Sequence, residues 1–293
     1  MDREIFLKEM HDYVDELYSD FQVYQDSVIN SLIEFDKVCR KNGIVYYLGF
    51  GSLLGFFRDG DNLPWDYDID VVVPITEKDK LVLALKNDLN KKYYFYCPEV
   101  DQRCRHYCMR ITKKGYDSAA VHMDVFFLIG APEDKTEREK FRSKVKKVNI
   151  IRKAKLVDVD AESMGIKVFK YAGTVKKLVY KIRYPLSLLN REEQRLCNLI
   201  PYNKAKYVTT MQAAADTYTA DVFQTPSEVM VRGVPIFAPT NIKSFINQTY
   251  KDYKGYPKIS SRFEEFYASS KRLKYFETRK KAVSKQDYQI NTY

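Results

Sequence analysis

Asp66, Asp68 and Asp70 alternate with Tyr67, Ile69 and Val71 just ahead of a pure valine run, Val71-Val72-Val73. On a strand these carboxylates share one face, about 7 Å from one to the next. Carboxylates that close repel one another unless a cation sits among them or some are protonated. A hard divalent cation such as Mg²⁺ takes oxygen ligands and keeps several waters, so two carboxylates plus phosphate oxygens suffice. Asp124, on a second apolar segment at residues 122–129, would complete the set. Such a site can polarise a phosphoryl group and lower the pKa of an attacking hydroxyl. Acids alternating with apolar residues also describe a solvent-facing edge strand, so this pattern alone does not decide.

A second feature is the turn Gly51-Ser52, placed between the apolar residues 44–48 and Leu53-Leu54-Gly55-Phe56-Phe57. A Gly-Ser turn between a buried strand and a helix offers backbone N–H groups and the Ser hydroxyl to a phosphate. Thirteen residues separate Ser52 from Asp66, and 15 separate it from Asp68. Arg58, just beyond, is a natural phosphate clamp. His122 shares a strand face with Asp124, where it would either assist proton transfer or order the carboxylate. Cys97, Cys104, His106 and Cys108 suggest zinc, but alternation puts the last three on one strand face, a poor tetrahedral cage. Trp65 and Tyr67 could stack on a base or frame a cation; for Trp65 core packing is the competing reading.

Residues 44–55 (Ile-Val-Tyr-Tyr-Leu-Gly-Phe-Gly-Ser-Leu-Leu-Gly), then Arg58, then Leu63-Pro64-Trp65-Asp66-Tyr67-Asp68-Ile69-Asp70, closely resemble the signature of the LicD family, which includes fukutin and fukutin-related protein. Arg110-Ile111 resembles that family's Lys-Ile element, and His122-Met123-Asp124-Val125-Phe126 its third-carboxylate strand. Val234-Pro235-Ile236-Phe237-Ala238-Pro239 and Tyr250-Lys251-Asp252-Tyr253 are similar to its C-terminal elements. Two positions depart: Phe50 stands in place of the first glycine of the usual pair, and Lys251 where the family usually has glycine.

The resemblance implies a nucleotidyltransferase fold and transfer of a phospho-alcohol, such as phosphocholine or ribitol phosphate, from a CDP-linked donor to a glycan or lipid-linked glycan. It implies Mg²⁺ or Mn²⁺, with Asp68, Asp70 and Asp124 as catalytic metal ligands. Gly51, Ser52, Arg58, Asp66 and Arg110 would bind donor or support the cluster. Competing readings are transfer of a nucleoside monophosphate to a small molecule or RNA, and an inactive relative that binds glycan or anionic lipid. Nucleic acid is not an expected partner, because no base-reading pocket is evident.

The elements that must position these residues follow from pattern. Residues 21–42 carry apolar positions near a 3.6-residue period and stop at Asn42-Gly43. Strands are expected at 44–48, 66–73, 93–97, 104–111 and 122–129, and helices at 77–90 and through most of 133–200. The sum is an α/β (α+β) protein: a nucleotidyltransferase-like mixed sheet with flanking helices and a helical, basic C-terminal elaboration. We expect an N-terminal helical extension over 1–20, a catalytic core over 21–132, a helical part completing the domain over 133–257, and a charged helix or tail over 258–293.

The 293 residues carry a net charge of +10. Residues 141–155 hold seven Lys or Arg and no acid, and residues 167–183 hold six and no acid. Such concentration points to an anionic partner or a solvated surface. Val175, Leu178, Val179, Ile182, Leu186 and Leu189 recur at helical spacing beside these cations, which reads either as core or as peripheral contact with an anionic membrane. Pro185 should bend or end that helix. No signal-peptide pattern opens the chain, the uncharged apolar stretch at 44–57 is only 14 residues, and the five cysteines suggest no disulfide framework. The expected location is cytoplasmic, with peripheral contact on the inner membrane face left open.

Overall fold

Residues 123–131 carry no charge after Asp124, and a run of that kind must be covered on both faces. In a computed structural model of the chain it is the centre of a mixed sheet. The structure describes residues 3–97, 100, 108–116, 121–156, 167–212, 217–250 and 253–255, with side chains from residue 21 onward except at 156, 169 and 170. The expectations for Cys104, His106, Lys251, Asp252 and 258–293 lie outside the described residues.

Strand β5 (Met123–Ala131) is buried along its whole length. On one side it pairs in parallel with β2 (Ile69–Pro74). On the other it pairs first with β4 (Met109–Lys113) and then, past Leu128, with β6 (Tyr207–Thr210), both antiparallel. Strand β1 (Tyr47–Leu48) lies outside β2, β3 (Tyr93–Tyr96) outside β4, and β7 (Thr217–Thr219) outside β6. The fold is thus mixed α/β with a mixed sheet.

Helix α1 (Arg3–Lys41) runs unbroken through residue 20. Its Phe21, Tyr24, Val28, Leu32, Phe35 and Cys39 are buried in the core. Gly43 at φ +60° ends it, and the Ile44 N–H donates back to the Cys39 carbonyl at 2.9 Å, the left-handed cap expected of Asn-Gly. Helix α2 (Phe50–Arg58) leads from β1 toward β2, and α3 (Lys78–Asp88) follows β2. Gly55 of α2 is pressed against the loop that follows: a Cβ there would lie 2.7 Å from the Asp61 carbonyl oxygen and 2.8 Å from the Leu63 nitrogen.

Two segments depart from expectation. The strand expected at 66–73 begins only at Ile69, because the Asp66 N–H turns back to the Leu63 carbonyl at 3.0 Å while Leu63 and Trp65 are buried. The region from 222 onward contains a hairpin, β8 (Ser227–Val231) and β9 (Val234–Ala238). Arg232 and Gly233, at φ +48° and +84°, form its two-residue turn, the mirror-image type that suits a twisted hairpin. Helix α7 (Ile242–Thr249) then docks Phe245 onto Tyr218, ring centroids 4.9 Å apart.

Helices α4 (Lys135–Leu156) and α6 (Leu186–Asn198) attach at the C-terminal end of β5, where Phe141, Val145, Val148 and Leu196 pack on Ile129 and Ala131, and α5 (Lys167–Arg183) packs on α4. That is roughly 20 Å along the strand from Asp124. Pro185 separates α5 from α6, as its ring requires. The apolar stripe divides there: Leu189 is buried, whereas Val175, Leu178, Val179 and Ile182 are exposed.

Candidate active site

Strand register brings the acids together. Asp70 of β2 stands directly beside Asp124 of β5, and Arg110 of β4 stands on Asp124's other side. In-register neighbours on adjacent strands are about 4.8 Å apart and point to the same face. Arg110 Nε donates to Asp124 Oδ1 at 2.8 Å, with both side chains largely buried. His122 lies two residues before Asp124, so its ring falls on the same face. Its Nε2 lies 3.6 Å from Asp124 Oδ1 and 3.8 Å from Asp68 Oδ2. The Tyr67 ring meets the imidazole edge-on, centroids 5.8 Å apart.

The electrostatics are those of crowded acids. Burial raises the Asp68 pKa to about 6, the Asp124 charge adds to this, and Asp66 and Arg110 pull the other way. Burial and the charges of Asp68 and Asp124 push Asp70 well above the usual carboxylate range, with Arg110 opposing. Cys108 is buried beside the same group; its thiol is pushed up by burial and by Asp124.

Ligand atoms of Asp68, His122 and Asp124 lie within 4.8 Å of one another, the one such group of three among the described residues. The donor set fits a divalent cation: two carboxylates and an imidazole converge, and positive charge would relieve the repulsion that raises the acids. Sequence reasoning chose Asp70 rather than His122 for this triangle. The signal was present in His-x-Asp at the start of a strand, but alternation gives only the face. The register of β2 and β5 supplies the rest: Ile69 pairs with Met123, so the residues just before them, Asp68 and His122, are neighbours.

Gly51 and Ser52, expected in a turn, instead form the first turn of α2, which begins at Phe50. Ser52 is buried, and its Oγ accepts the Asp70 backbone N–H at 2.9 Å; Gly49 N–H donates to the Asp70 carbonyl at 2.9 Å. The hydroxyl therefore anchors strand β2. Asp66 Oδ2 lies 2.8 Å from where a Cβ on Gly51 would stand, placing that carboxylate against the first turn of α2, whose N-terminal dipole favours it. Gln25 of α1 holds the loop by donating to the Leu63 and Asp66 carbonyls, a role no sequence pattern announced. Phe50 enters α2 at φ +46° and packs on Phe126 and Phe245.

Arg58 is not brought to the acids. It sits at the other end of α2, about 9 Å along the axis from Ser52. Its guanidinium makes a two-pronged bond to Asp59, at 2.7 Å each, and donates to the carbonyls of Tyr253 and Gly255.

With this geometry established, comparison with known proteins gives two findings. Residues 43–155 match the family described as LicD/FKTN/FKRP, nucleotidyltransferase domain. Two curated proteins of Saccharomyces cerevisiae are similar over short stretches. Mannosyltransferase regulator 4 is 39% identical over 62 residues, 21% of this chain and 5% of that protein. Mannosyltransferase regulator 14 is 44% identical over 48 residues, 16% of this chain and 5% of its own length. The chain thus spans about one-twentieth of the length of each of these relatives. The matched segment takes in β1, α2, β2, β4 and β5, and with them every carboxylate of the cluster. Residues 43–155, the segment that holds the cluster, are thus similar to the nucleotidyltransferase domain of the LicD/FKTN/FKRP family.

Proposed function

We propose that the protein transfers a phospho-alcohol, such as phosphocholine or ribitol phosphate, from a CDP-linked donor to a glycan hydroxyl. The observation that carries this is the convergence of Asp68, His122 and Asp124 on one small triangle, with Asp70 in register beside it. The family match over residues 43–155 supports a transferase role in glycosylation. The two yeast proteins named mannosyltransferase regulators point to glycan substrates.

In this reading Asp68, Asp124 and His122 would hold Mg²⁺ or Mn²⁺, which would neutralise the donor's phosphate oxygens. Arg110 fixes the Asp124 carboxylate. Ser52 and Gly49 fix the backbone of Asp70. Asp70, in register beside Asp124, takes the proton of the acceptor hydroxyl. The acceptor oxygen bonds to the phosphorus that carries the alcohol, the bond from that phosphorus to the bridging oxygen breaks, and CMP leaves.

The test is incubation with CDP-choline, CDP-ribitol or CDP-glycerol, Mn²⁺ or Mg²⁺ and a glycan acceptor, following CMP and the modified glycan. Release of pyrophosphate from CTP or ATP in place of CMP would instead assign nucleotidyl transfer. The word regulator in the yeast names favours a second reading, a domain that binds donor or glycan without turnover. Binding of CDP with no product from any donor would select it.

A further inference from the structure

The helix that sequence left undecided between core and membrane surface packs one side against α4. On α5, Gly173, Lys177 and Tyr180 are half-buried, as is Tyr184 just past its end. Lys155 of α4 donates to the carbonyls of Tyr180 and Lys181 on that side. At 100° per residue, the opposite face carries Val168, Tyr171, Val175, Leu178, Val179 and Ile182, a stripe about 100° wide. These six are among the most exposed large apolar side chains described; Val168, Tyr171 and Ile182 are 73%, 75% and 76% exposed. Lys176 and Arg183 border the stripe on one flank and Lys167 and Lys181 on the other, all exposed. Residues 167–183 contain no acid.

A solvated face would not present six large apolar groups in line. The stripe runs nearly the whole length of the 17-residue helix, about 26 Å. No described helix is long and apolar enough to cross a bilayer. An apolar strip rimmed on both flanks by cations is the form of a helix that lies in the plane of an anionic membrane.

We propose that α5 docks the protein on anionic phospholipid, the stripe entering the acyl boundary and the flanking Lys and Arg meeting lipid phosphates. The complementarity selects this occupant: a protein groove that took the apolar face would also need acids on both rims. The inference does not depend on the transfer reading, since neither readout below involves turnover.

Full-length protein is sedimented with vesicles of phosphatidylcholine alone or with 30% phosphatidylglycerol, a composition of about one anionic lipid in three, at low and high salt. We expect pelleting with anionic vesicles at low salt, at least about tenfold weaker partition at 1 M salt, and little binding to phosphatidylcholine. Leu178→Glu/Ile182→Glu, both exposed in the wild type, should keep the melting temperature and lose binding about tenfold or more. Because the single tryptophan, Trp65, is buried, Val175→Trp adds a reporter whose emission should shift to the blue on anionic vesicles. No pelleting of the wild type with anionic vesicles at low salt would overturn the proposal, as would binding undiminished in the double Glu variant. So would a wild-type dimer, seen by sedimentation velocity and broken by the same variant, in a chain without vesicle affinity, which would assign the face to a second copy.

Discussion

Ser52 Oγ accepts the backbone N–H of Asp70 at 2.9 Å, so a side chain on α2 continues the hydrogen bonding of β2 where β1 has already ended. The hydroxyl is buried and structural. Ser52→Ala should leave a buried N–H without its acceptor and destabilise the fold by about 1–3 kcal/mol. It should also loosen Asp70 and slow CMP release. Unchanged stability by denaturant titration, with activity alone lost, would assign the hydroxyl to substrate instead.

Two glycines on α2 should respond oppositely to the same methyl group. At Gly55 the new Cβ meets backbone on two sides, so Gly55→Ala should cost about 2 kcal/mol or more. At Gly51 it meets only the tip of Asp66, which can swing away. Gly51→Ala should therefore stay within about 1 kcal/mol of wild type while turnover falls sharply, because Asp66 leaves the cluster. Thermal denaturation and a turnover assay on both variants check the pair.

Phe50 enters its helix in the left-handed region, where a side chain costs about 1 kcal/mol. In a helix Gly is ordinarily about 1 kcal/mol less stable than Ala. At position 50 we expect the reverse order, Phe50→Gly more stable than Phe50→Ala by about 1 kcal/mol. Both should be below wild type, since each loses the ring packed on Phe126 and Phe245. Matched melting curves decide the order.

These residues also mark how far sequence reading reached. The placement of Asp70 and Asp124 on buried strands was legible because the valine run and the uncharged stretch after Asp124 both read as buried strands. The Asn42-Gly43 cap was legible because only a few residue types tolerate its geometry. The late start of β2 was not, since it depends on a hydrogen bond from Asp66 back to Leu63 and on Gln25, 41 residues earlier. Arg58 looked like a phosphate clamp by spacing alone, but its neighbour Asp59 and the carbonyls near residue 254 are closer partners. The β8–β9 hairpin was missed because Arg-Gly is an uncommon two-residue turn and Pro235 argues against a strand. The stripe on α5 has the same spacing whether buried or exposed, and only tertiary packing distinguishes them.

The Asp68 carboxyl titrates near 6, above its unfolded value of about 4. Between those values the native state holds more protons than the unfolded chain, so stability falls as pH rises through the window. The penalty is absent below about pH 4 and complete above about pH 6. With chelator present, Asp68→Asn should therefore gain stability over wild type by about 1–3 kcal/mol at pH 7 and little at pH 4. Saturating Mn²⁺ should reverse the order at pH 7, because only the wild type keeps its full set of ligands. Melting temperatures across that range, with and without metal, test both signs.

The most direct test of the central claim is calorimetric titration of Mn²⁺ into the protein with CDP present, for wild type, Asp68→Asn and His122→Ala. We predict saturable binding by the wild type, at least about tenfold weaker binding in Asp68→Asn, and in His122→Ala a loss of preference for Mn²⁺ over Mg²⁺, since imidazole suits the softer ion. Isotherms that are the same for all three proteins, or no binding by the wild type, would contradict a cation held by Asp68, His122 and Asp124.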